Sequence, residues 1–146
     1  VSAYSAAAAA MGQELTIPEV AQSLILTRMS MKSTDMPAGE TLDNFGRTGA
    51  TLVIHLAIRN LREIRRQLAP HYGDDCTVIV AYRVGWPDEL IIRGTLENIH
   101  AKVRAEKITR TALVFIGPAL ANKQDFKDSA LYDPAIPHIL RPRVKI

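Results

Sequence analysis

Residues 77–99, TVIVAYRVGWPDELIIRGTLENI, constrain the fold more than any other stretch of the chain. TVIVAY is a continuous apolar run of strand length, rich in β-branched residues. That pattern predicts a strand buried on both faces. RVGWPDE breaks the run with Gly85 and Pro87, a turn signal. A second apolar run follows, and Gly94-Thr95 is expected to open a helix. Two strands therefore meet at a loop carrying Arg83, Trp86, Asp88 and Glu89. Composition favours an ordinary hairpin loop with surface charges there.

The rest of the chain repeats the alternation. Residues 1–11 read as a small-residue helix stopped by Gly12, with Ser2 at the N-cap position and its amides available to a ligand. Residues 22–29 are a first strand with Arg28 near its C-terminal end, and residues 30–39 form a loop. Residues 40–46 read as a short helix capped by Thr41. A second strand is expected over residues 51–57, interrupted by His55, which reads as a hydrogen-bonded core histidine. Ile58, Leu61, Ile64 and Leu68 recur at helical spacing and predict an amphipathic helix over residues 58–69. Arg59, Arg62, Arg65 and Arg66 fall mostly on its other face, read as solvated. Residues 70–75, PHYGDD, should close that helix. Residues 95–107 read as another amphipathic helix, residues 111–117 as a buried strand, and residues 118–146 as an irregular tail. Strands alternating with helices predict an α/β fold, a mixed sheet flanked by helices.

At 146 residues the chain is one domain by length. The net charge of +3 is too weak to indicate a nucleic-acid binder, and stacking aromatics are scarce. The arginine helix predicts no nucleic-acid partner. The single cysteine, Cys76, excludes an internal disulfide and a cysteine-based metal cluster. It points to a reducing cytoplasm. No apolar run is long enough to span a membrane, so no membrane partner is expected.

The sequence contains no Walker-type phosphate loop, no GxGxxG, no histidine pair at metal-ligand spacing and no nucleophile elbow. No metal site and no catalytic acid/base pair are predicted. Ligands of open α/β sheets favour the crevice beyond the strand carboxyl ends. Those ends carry Arg28, His55-Leu56-Ala57, Arg83-Val84-Gly85 and Gly117.

Longer strings add a resemblance. VSAYSAAAAAMGQELTIPE, LILTRMS, TLVIHLAIRNL, VAYRVGWPDELIIRGTL, TALVFIGPAL and DSALYDP together resemble the tetrapyrrole methyltransferases that use S-adenosylmethionine, in the branch that methylates a corrin precursor for cobalamin. WPDE and SALYDP make the resemblance specific, and it covers essentially all of the chain. It implies a two-domain enzyme with the cofactor in the cleft between domains, residues 1–146 being the C-terminal α/β domain. The family's N-terminal glycine-rich loop is not in the sequence. The resemblance therefore implies a piece that is inactive by itself.

Carried over by motif, the resemblance places Ser2, Ala3, Leu56, Arg83, Val84, Thr111 and Ala112 against S-adenosylmethionine, with S-adenosylhomocysteine as product. Leu56 stands where many relatives have methionine. The tetrapyrrole substrate bears many carboxylates, and Arg28 and then Arg59 are the residues expected to hold it. A homodimer is implied. Two alternatives stand beside this reading: the cobalt-loaded substrate of the anaerobic route, and a non-catalytic binding or dimerisation module.

Overall fold

The computed structural model describes residues 1–30 and 35–121. The DSALYDP string, the tail beyond Ala121 and part of the loop after β1 lie outside the described residues.

Five strands form one mixed sheet in the order β1-β2-β5-β3-β4. They are β1 (Leu24–Thr27), β2 (Thr51–Ile54), β3 (Thr77–Tyr82), β4 (Leu90–Thr95) and β5 (Ala112–Ile116). β1 and β2 are parallel, and every other pairing is antiparallel. The β3–β4 hairpin expected around Trp86 is present, in register from Thr77 opposite Thr95 to Tyr82 opposite Leu90.

Strand alternation sends side chains to two layers. Leu52, Ile54, Val78, Val80, Val114 and Ile116 point to one face. There they pack with α2 (Leu42–Gly46), α3 (Leu61–Tyr72) and α4 (Ile99–Ala105). Val53, Ile79, Ala81 and Phe115 point to the other face, against Ala7 and Met11 of α1 (Ala3–Met11) and against Leu120. α1 ends at Gly12, whose φ of 62° gives the left-handed C-cap. Thr41 caps α2, its hydroxyl accepting from Asn44 N at 3.0 Å.

Leu61, Ile64 and Leu68 are all buried along α3, as their spacing predicts, and Ile58 is buried in the one-turn 3-10 helix (Ile58–Asn60) that leads into it.

Four boundaries differ from expectation. Pro70 does not close α3, which continues to Tyr72. Proline there deletes one bond to the preceding turn, and Gly73 N still donates to Ala69 O at 2.9 Å. Gly94 and Thr95 end β4 rather than open a helix. Thr95 N instead donates to Asn98 Oδ1, and Asn98 N to Thr95 Oγ1, so a turn precedes α4. β2 stops at Ile54, so His55 lies beyond the strand and is half-buried, not a core residue. Finally, Pro118–Leu120 form a 3-10 turn whose Ala119 and Leu120 are buried, within the segment expected to be irregular.

Candidate functional site

At one end of the sheet the strands part and leave a cavity of about 730 Å³. Residues following β1 (Arg28), β2 (His55, Leu56) and β3 (Arg83, Val84, Trp86) line it, with Ala81 near the end of β3. The start of β5 (Ala112, Leu113) and the residues before it (Thr109, Arg110, Thr111) complete that wall. α1 adds Ala3 and Ala6, and the turn before α3 adds Ile58 and Arg59.

The expectation that Gly117 shares this end is corrected. β5 runs antiparallel to β2 and β3, so its C-terminus lies at the opposite end, where Gly117 N donates to Thr77 O at the start of β3. The amino end of β5 faces the cavity instead.

Backbone strain concentrates here. Among the described non-glycine residues with positive φ, Leu56 (57°), Arg83 (47°) and Thr111 (59°) all line the cavity. A β-branched threonine in the left-handed region is a marked outlier. Strain of this kind gathers where the surroundings over-determine a functional shape. Arg83 and Thr111 form one unit: Tyr82 pairs with Ala112, and Arg83 N then donates to Thr111 O at 3.0 Å. Two left-handed residues facing one another end the β3–β5 ladder at the edge of the cavity.

The lining combines small apolar residues with arginines. Ala3, Ala6, Ala81, Ala112 and Val84 leave room for close backbone approach, while Arg28, Arg59, Arg83 and Arg110 supply positive charge. No aspartate or glutamate lines the cavity among the described residues. Arg59 Nε donates to Thr109 O at 3.0 Å, joining the turn before α3 to the β5 approach. The side chains of Arg28 and Arg110 make no hydrogen bond or ion pair among the described residues. Their donors are left for a ligand. His55 Nδ1 lies 3.3 Å from Thr27 O. A carbonyl only accepts, so Nδ1 is the donor in this contact.

Arg83 is held most firmly. Its Nε donates to Asp88 Oδ1 at 2.8 Å, and its guanidinium carbon sits 4.2 Å from the centre of the Trp86 ring. The hydrogen bond that Arg83 donates holds the Asp88 carboxyl below its ordinary range, and the same bond raises the Arg83 guanidinium.

Eight residues anticipated from sequence meet around this one cavity: Ala3, Arg28, Leu56, Arg59, Arg83, Val84, Thr111 and Ala112. Ser2 does not line it. Ser2 is the exposed N-cap of α1, makes no side-chain capping bond, and accepts from Ala6 N through its carbonyl. Sequence reasoning missed Arg110 and Trp86 as lining residues. Arg110 had no motif around it. His55, read as a hydrogen-bonded core histidine and also placed among the strand ends that favour ligands, lines the cavity.

Comparison with known proteins gives consistent matches. The family model described as Tetrapyrrole (Corrin/Porphyrin) Methylases matches residues 1–100. A precorrin-4 C(11)-methyltransferase from Sinorhizobium sp is 53% identical over 143 residues, covering 98% of this chain and 56% of the relative. A cobalt-precorrin-4 C(11)-methyltransferase from Methanocaldococcus jannaschii is 37% identical, covering 97% of this chain and 54% of that relative. Among solved structures, a cobalamin biosynthetic enzyme, cobalt precorrin-4 methyltransferase, superposes with a TM-score of 0.79 at 31% identity. That match covers 83% of this chain and 51% of the other. The chain thus spans about half the length of the curated relatives it matches.

Proposed function

The chain belongs to the tetrapyrrole (corrin/porphyrin) methylases, and from that premise we propose that it forms one half of a cleft in which S-adenosylmethionine methylates precorrin-4 at carbon 11, giving precorrin-5 in cobalamin biosynthesis. The observation that carries the reading is the convergence of eight residues anticipated from the resemblance on one cavity lined by small residues and arginines.

The residues fit the cofactor. The volume lies within the ordinary range for small-molecule sites, roughly 300–1,000 Å³. Alanines at positions 3, 6, 81 and 112 allow a flat adenosyl group to approach the main chain, and Arg28, Arg59 or Arg110 can pair with its carboxylate. When bound, S-adenosylmethionine supplies a methyl group already activated on a sulfonium.

The chain's own residues then have positioning work to do. The strained backbone at Leu56, Arg83 and Thr111 holds the walls before anything binds. Val84, Ala112 and Leu113 exclude water from the cavity. Arg28 and Arg110, with unengaged donors, hold the acidic side chains of the tetrapyrrole. In-line transfer to a nucleophilic ring carbon depends mainly on such orientation.

Titration calorimetry of S-adenosylhomocysteine into the chain tests the proposal. A saturating heat is expected, and Ala112→Phe, which fills the cavity, should abolish it. No heat from a protein carrying both halves of the cleft would overturn the cofactor assignment, whereas heat from that protein alone would make this chain a half-site. Relatives of both substrate classes match this chain, and the higher identity to the metal-free class, 53% against 37%, favours precorrin-4 over its cobalt-loaded form. A homodimer in the cytoplasm completes the proposal. No helix among the described residues is long and apolar enough to cross a membrane.

A further inference from the structure

We propose that Arg83, Trp86, Asp88 and Glu89 form a preset clamp, in which guanidinium and indole stack as the wall that receives the planar base of the bound nucleoside, with Asp88 and Glu89 as positioning residues. The inference rests on the cofactor reading above and names the side chains that shape its adenine end.

The loop between β3 and β4 is built almost wholly from its own contacts. Trp86 N donates to Arg83 O at 3.0 Å, and Glu89 N donates to Trp86 O at 3.0 Å, making two successive turns. Gly85, at φ 86°, takes a conformation that suits glycine, and its N–H donates to Glu89 Oε1 at 2.9 Å. Arg83 closes the unit through Asp88 Oδ1 and lies over Trp86, with Tyr82 further off at 5.9 Å. A cation over an indole within about 6 Å of its centre is attracted by the ring's face.

Two observations separate this arrangement from an ordinary surface ion pair, which contributes little. Arg83 is kept at a positive φ of 47° opposite Thr111, itself at 59°, and its N–H donates to Thr111 O at 3.0 Å, so its backbone is fixed at the cavity wall. Trp86 is 56% exposed and yet lines the cavity. A large apolar ring fixed in the open beside a cavity marks a contact surface for a ligand. A planar base laid on that ring gains stacking without ordering new side chains, because Asp88 and Glu89 have already ordered them. The WPDE string, unexplained as a hairpin loop, is then the sequence of the clamp.

Trp86 is the single tryptophan of the chain, so its fluorescence reports this loop directly. S-adenosylhomocysteine is titrated into the wild-type chain, following Trp86 emission and calorimetric heat together. Quenching with the same midpoint as the heat is expected. Asp88→Asn should weaken binding about tenfold, the loss of one charge-assisted hydrogen bond. Its melting temperature should stay unchanged, since Asp88 is exposed. Asp88→Glu should restore part of the affinity. Trp86→Phe should bind within a few-fold of wild type, and Trp86→Ala should not. Heat without quenching would overturn the clamp while leaving the cofactor reading in place. Neither heat nor quenching, with no heat from a protein carrying both halves of the cleft either, would overturn both. Asp88→Asn binding as tightly as wild type, with unaltered Trp86 emission, would remove the positioning role.

Discussion

Leu56 shows at the scale of one residue how the site costs stability. Its φ of 57° puts its Cβ against the following carbonyl, a penalty of roughly 1–2 kcal/mol. Its side chain is 65% exposed and contributes little burial in return. Leu56→Gly should therefore leave stability unchanged or raise it by up to about 1 kcal/mol, against the usual cost of introducing glycine. A clear drop in melting temperature would contradict this account. Cys76 gives a prediction in pH. Burial pushes its thiol from 9.0 to about 11. The unfolded thiol thus ionises first as pH rises. Its contribution to stability is complete below pH 9 and is lost as pH climbs through 11. Burial raises Tyr72 in the same direction, its hydroxyl donating to Ala50 O at 2.5 Å. Melting temperatures measured between pH 8 and 11 should fall, and Cys76→Ala should flatten the first part of that fall.

Among the elements, α2 and α3 depend on one another through a close contact. A Cβ added at Gly46 would meet His71 Cδ2 at 2.7 Å and Leu68 Cδ2 at 3.0 Å. His71 Nε2 is also held 2.7 Å from Asp43 Oδ1, which limits how far the ring can retreat. Gly46→Ala should destabilise by about 1–3 kcal/mol, an overpacking cost. Leu68→Ala should cost about 2–5 kcal/mol, because Leu68 is fully buried between α3 and the sheet. Urea midpoints with unchanged slope would check both. A Gly46→Ala chain as stable as wild type would show that α2 can shift away from α3.

On the scale of the whole molecule, the cavity collects four arginines from separate parts of the chain, following β1, before α3, following β3 and before β5. With no carboxylate lining it among the described residues, the cavity is a local positive field on a chain of modest net charge. A porphyrin bearing several carboxylates should bind more weakly as salt rises. A fall on the order of tenfold is expected between low and high ionic strength, where exposed charges are screened. Arg28→Ala with Arg110→Ala should remove most of that salt dependence. Binding insensitive to salt in the wild-type chain would exclude this role for the arginines.

Local pattern was enough for the elements. The limits of β3 follow from a continuous β-branched run, α2 from its threonine cap, and the buried face of α3 from spacings of three and four. Those signals work because each reports a contact made within a few residues or one face against one core. The cavity needed more. Motif resemblance brought Ala3, Leu56, Arg83 and Thr111 into view, yet Arg110 and Trp86 joined the lining only through the fold. β5 shows why. Its apolar run does not record its direction, and only its antiparallel pairing with β2 and β3 turns Thr111, rather than Gly117, towards the site. Composition and spacing determined which segments are strands and helices, because burial periodicity is written residue by residue. The tertiary structure alone decided which strand ends share a cavity, because strand direction and the strained facing of Arg83 on Thr111 arise from pairing across the sheet.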